Sequence, residues 1–155
     1  MVKVLDLVVL GSALSPLASA IGNARVVNNC PFSVTITPVG NGQQFPPHTI
    51  AQGGSYSEPF TSDSQSTGRD LKVTVTPGTP ANSPHTVFGY TLAGGTIWYN
   101  LSDNGGGHPF QGHRLLQASG NPTCPRNDWP NGVQPSGNQV RNCESNDDVT
   151  LTLCA

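Results

Sequence analysis

The sequence predicts an all-β sandwich in a single disulfide-stapled domain, and three observations carry that expectation. Apolar and polar residues alternate with a period of two through much of the chain, as in Leu71-Lys72-Val73-Thr74-Val75-Thr76 and Val149-Thr150-Leu151-Thr152-Leu153. That alternation turns one face of each run toward a core and the other toward water. Charged residues make up only 10% of the chain, whereas it holds 18 glycines and 14 prolines; such a balance suits short strands with many turns and disfavours long amphipathic helices. Finally, all four cysteines lie beyond residue 20, behind an export-like start, and an even count in an exported chain reads as two disulfides.

In chain order, residues 1–20 read as a signal peptide. Lys3 gives the positive start, residues 4–14 form a short apolar run broken by Asp6, and Ala18-Ser19-Ala20 supplies a small-x-small cleavage site. The run is about half the length a membrane span needs, so neither a membrane helix nor a membrane partner is expected. The mature domain is then residues 21–155. A short strand over residues 24–28 precedes Ser33-Val34-Thr35-Ile36-Thr37, a second alternating run. Residues 40–54 and 61–68 read as polar loops, and residues 77–84 as a proline-dense connector. Phe88-Gly89-Tyr90-Thr91-Leu92 and Thr96-Ile97-Trp98-Tyr99-Asn100-Leu101 flank Ala93-Gly94-Gly95, a strong hairpin signal. Residues 104–107 form a glycine-rich tip. Residues 120–142 carry four prolines without periodicity; coil of that length is unusual inside a domain and asks for a crosslink to fix it. The count comes to seven to nine strands, closed by the run at 149–153.

Lys3 and Asp6 leave with the leader, so seven basic and nine acidic residues become six and eight. That balance gives no electrostatic reason to expect nucleic acid as a partner. No Ser elbow, P-loop or His-Glu-x-x-His pattern occurs. His108 and His113, in a Gly-rich stretch, lack a third ligand nearby and a helix to fix their spacing, so no metal site and no cofactor are expected. Arg69 and Asp70 read as a surface pair, and Trp129 as an anchor for its proline-rich loop. Asn100-Leu101-Ser102 is the one complete N-glycosylation sequon. Four cysteines allow three pairings, and spacing does not choose among them.

Residues 24–34, with Asn28-Asn29-Cys30 at their centre, resemble the opening strand pair of thaumatin-like proteins. The likeness returns at Val87-Phe88-Gly89-Tyr90-Thr91-Leu92 and at Trp98-Tyr99-Asn100-Leu101-Ser102. A closer resemblance is to the small fungal branch named after the Blastomyces yeast-phase-specific protein. The shared stretches are the Asn-Asn-Cys start, Pro109-Phe110-Gln111-Gly112-His113, the loop at residues 129–133, and the ending Leu151-Thr152-Leu153-Cys154-Ala155.

The resemblance implies a reduced thaumatin-like sandwich with Cys30 bonded to Cys154 and Cys124 to Cys143. It also implies a place for an acidic cleft, but the three family acids fall on Gly89, Asn100 and Gly105, none a carboxylate. Glycoside hydrolysis needs two carboxyl groups, so the expected product is a secreted non-enzymatic protein, extracellular or held at the cell wall. Its expected partner is a cell-wall polysaccharide or a host protein, in the manner of an antigen or effector, and it is expected to act as a monomer. A weak β-1,3-glucan hydrolase is the alternative. Trp98, as a stacking platform beside Asn100, and Asp103, as a displaced acid, are the ligand-binding candidates; a glycan on Asn100 would stand on the cleft wall.

Overall fold

The computed structural model describes residues 20–62, 68–75 and 83–155. The expected leader, apart from Ala20, lies outside the described residues, as do the centres of the expected loop at 61–68 and connector at 77–84. Among the described residues there is no helix, and the strands are β1 (Asn23–Asn28), β2 (Val34–Gly40), β3 (Gln43–Gln44), β4 (His48–Ile50), β5 (Ser55–Pro59), β6 (Arg69–Thr74), β7 (His85–Ala93), β8 (Thr96–Asn104), β9 (Leu115–Ser119), β10 (Asn127–Trp129), β11 (Val140–Glu144) and β12 (Val149–Leu153). They form a five-stranded sheet in the order β10-β9-β12-β1-β5 and a seven-stranded sheet in the order β11-β8-β7-β6-β2-β3, with β4 also on β2. Inward side chains of both sheets share one core: Val26 and Leu151 from the first meet Ile36, Leu71, Phe88 and Tyr99 from the second.

The expected all-β sandwich is what forms, with more strands than the seven to nine expected. The additions are short. β3 and β4 break up the loop expected over 40–54, and β10 and the first residues of β11 lie in the coil expected over 120–142. Period-two reading misses them because strands of two to five residues on a sheet edge carry too few inward positions to show alternation. The β7–β8 hairpin falls where expected, with Ala93 paired to Thr96 across Gly94-Gly95. Gly94 takes φ 61° there, a conformation that a tight two-residue turn demands and glycine adopts without strain.

The first and last strands lie side by side, β1 parallel to β12 with Val26 opposite Leu151, and Cys30–Cys154 joins them just past that ladder. Asn28 holds the turn that leads from β1 into β2. Its side-chain oxygen accepts from the Cys30 amide at 3.0 Å while its amide donates to the carbonyls of Phe32 and Ile50, so a fully buried polar side chain is satisfied.

Polar bonds and one crosslink fix the proline-rich stretch at 120–142. Cys124 is bonded to Cys143 of β11, the Tyr99 hydroxyl donates to the Pro125 carbonyl, and the fully buried Trp129 donates its indole N–H to Gln139. Buried Gln117 of β9 reaches across the sandwich to the Asn100 carbonyl at 3.0 Å and accepts from Asn127 at 2.8 Å. These bonds hold the loop and β8 to one another.

Candidate functional site

Strand β8 sorts its side chains cleanly. Ile97, Tyr99 and Leu101 point into the core and are at most 1% exposed, while Trp98 is 44% exposed and Asn100 half-buried on the outer face. Strand pairing extends that face into a row: Val39 opposite Asp70, Asp70 opposite Gly89, Gly89 opposite Asn100, and Asn100 opposite Val140. The next row sets Thr91 beside Trp98 and Trp98 beside Asn142. An open depression of about 380 Å³ lies here, its lining including Gly40, Asp70, Gly89, Thr91 and Asn100.

Gly89 shapes it. A Cβ there would overlap the Asn100 Oδ1 and come within 3.0 Å of the Asp70 Oδ1, so the bare backbone lets two polar side chains lean in from either side. The surroundings that displace water from the Asp70 carboxyl push its pKa upward, partly offset electrostatically by the nearby Lys72 and His85. Among the described residues lining the depression, Asp70 is the single carboxylate. An aromatic ring, an amide and a carboxyl on one face offer an apolar platform for a pyranose ring and hydrogen-bond partners for its hydroxyls.

Arg69 and Asp70 are not a surface pair. Adjacent strand residues point to opposite faces, and Arg69 turns the other way to pair with Glu58 at 3.1 Å, both side chains largely buried. The same carboxylate accepts the Tyr56 hydroxyl at 2.7 Å and the Tyr90 hydroxyl at 2.5 Å, while the Arg69 guanidinium lies 4.5 Å over the Phe45 ring. Glu58 thereby ties β5 of one sheet to β6 and β7 of the other. Leucine and valine at 71 and 73 mark Asp70 as outward-facing; what sequence reasoning missed is its registration against Gly89, which depends on pairing between distant segments.

The two ligand-binding candidates, Trp98 and Asp103, do not come together. Asp103 lies on the inward-facing side of β8 with its side chain 4% exposed. There it accepts from the Thr86 hydroxyl at 2.7 Å and bonds the His108 ring at 2.7 Å, while its backbone N–H donates to Gln134. His113 packs edge-on against Phe32, with ring centroids 5.4 Å apart. The two histidines have separate partners, and among the described residues no three His, Cys, Asp or Glu side chains stand close enough to hold a metal ion.

A family model described as Blastomyces yeast-phase-specific protein matches residues 11–155. The crystal structure of the protein elicitor MoHrip2 from Magnaporthe oryzae is similar with a TM-score of 0.71 and 26% identity, over 86% of this chain and 99% of that one. A search of the curated proteins gives no match.

Proposed function

The chain belongs to the Blastomyces yeast-phase-specific protein family, and from that membership we propose that it is a secreted, non-enzymatic, reduced thaumatin-like protein that acts on a host or at the fungal cell wall. The supporting observation is the likeness to a fungal protein elicitor over nearly the whole of that chain. Two disulfides suit an oxidising, extracellular compartment. The surface put forward for binding is the outer face of the seven-stranded sheet around Trp98, Asn100 and Asp70, and its ligand is a cell-wall polysaccharide. The flat aromatic and the adjacent polar groups favour that choice.

Hydrolysis would need a second carboxyl group facing Asp70, and Gly89 and Asn100 occupy the neighbouring positions of the row. Two assays test this reading. Retention on insoluble β-glucan or chitin, lost in Trp98→Ala, supports it, and retention on neither sends the search to host proteins. Release of reducing ends from soluble β-1,3-glucan, abolished by Asp70→Asn, would make the protein an enzyme and overturn it.

A further inference from the structure

Trp98 and Asn100 are successive residues on one face of one strand, and together they carry a proposal about modification. Two strand positions span about 7 Å, which sets the indole beside whatever the Asn100 side chain bears. Asn100 begins the sequon Asn100-Leu101-Ser102. Its Oδ1 lies nearest the place a Cβ on residue 89 would take, and Nδ2, the atom a glycan is joined to, is not among the atoms crowding that place. Leu101 is buried and Ser102 half-exposed, so the sequon lies on the strand with its outer positions toward water. Trp98 is one of three exposed large hydrophobic residues among those described, and it sits beside the acceptor.

We infer that Asn100 is N-glycosylated and that the first sugar of the glycan packs on the Trp98 ring, capping the outer face of the sheet. The donor is a polyprenyl-diphosphate-linked oligosaccharide of the secretory pathway. Its C1–oxygen bond breaks, a C1–Nδ2 bond forms, Nδ2 gives up one proton, and the polyprenyl diphosphate leaves. Asparagine at 100 then performs the part its side chain permits: an amide accepts a glycan where a carboxylate does not. The capping rests on the proposed function only for its consequence, namely that a capped face binds less cell-wall polysaccharide than a bare one.

The chain has two tryptophans, and Trp129 is fully buried, so acrylamide quenching of fluorescence reads Trp98. Protein secreted from a yeast host is compared before and after enzymatic removal of N-glycans, alongside Ser102→Ala, which abolishes the sequon and leaves Asn100 and Trp98 in place. The expected results are a mass loss on enzyme treatment, absent in Ser102→Ala, and quenching roughly halved in the glycosylated form because the sugar covers one face of the ring. An unshifted mass, or equal quenching in the glycosylated form, the treated form and Ser102→Ala, overturns the inference. Retention on insoluble glucan separates it from the proposed function. Stronger retention of the bare forms supports both. Retention of neither form sinks the cell-wall reading and leaves the mass and quenching results to decide the glycan.

Discussion

Asp70 and Asn100, on strands that are not neighbours, both lean over Gly89 on the strand between them. The Asp70 Oδ1 stands 3.0 Å from the place a Cβ on residue 89 would take, and the Asn100 Oδ1 stands closer still. The width of the depression is therefore decided by a missing methyl group. Gly89→Ala should displace the Asn100 amide, which is the free end of a short side chain, while the backbone stays in an ordinary strand conformation. Stability is expected to change by less than about 1 kcal/mol, with glucan retention falling. A large drop in melting temperature would show that the position serves packing.

Glu58 bonds across the two sheets, to Arg69 of β6 and Tyr90 of β7. Glu58→Gln keeps the shape but removes the charge opposite Arg69, and its NH2 group takes the place of an oxygen that accepts from the donor-only guanidinium and from a tyrosine hydroxyl. The loss should be about 3 kcal/mol, in the range for breaking a largely buried ion pair. Denaturant unfolding of the two proteins measures it, and a change below about 1 kcal/mol, the level of an exposed pair, would refute the buried role.

All three tyrosines have raised pKa values: Tyr56 and Tyr90 through burial and then the hydrogen bond and charge of Glu58, and Tyr99 through burial. A group whose folded pKa is raised contributes stability below its unfolded pKa and loses it as pH climbs through the folded one. Melting temperature should therefore hold up to about pH 10, the ordinary tyrosine value, and fall above it. Tyrosinate absorbance should appear together with unfolding. Tyrosinate forming near pH 10 in a still-folded protein would contradict the burial.

The Cys124–Cys143 bond closes a loop across a sequence separation of 19 residues, and the chain-entropy account assigns such a loop about 3 kcal/mol. Replacing both cysteines by serine should lower the unfolding free energy by that order and loosen β11, which pairs with β8 beside Trp98. Faster hydrogen exchange confined to residues 120–144 would locate the effect, whereas uniform exchange across both sheets would argue for global destabilisation.

Asp103 joins β7 to the two loops at 105–108 and 130–139. Asp103→Ala would leave the Thr86 hydroxyl without its acceptor and release His108, at a cost of about 2 kcal/mol. Because its side chain lies on the opposite face of β8 from Trp98, retention on glucan should be unchanged once the variant is folded. Loss of retention in the folded variant would return Asp103 to the binding surface.

Alternation and turn chemistry make much of this fold legible along the chain. The runs at 71–76, 88–92, 96–101 and 149–153 announce strands, Gly94-Gly95 announces the hairpin, and the parity of Trp98, Tyr99 and Asn100 already separates an outer face from a core face. These are local properties, set by a backbone whose side chains alternate sides. Tertiary structure alone decided the rest. The parallel pairing of β1 with β12, the pairing of β11 with β8, and the meeting of Asp70, Gly89 and Asn100 depend on registration between segments far apart, and local periodicity carries no information about which strand lies next to which. Arg69 shows the same limit: its neighbour in sequence is Asp70, but its partner is Glu58 of the other sheet, because adjacent strand residues face opposite ways and a charge at the sandwich interior pairs with whatever the facing sheet presents.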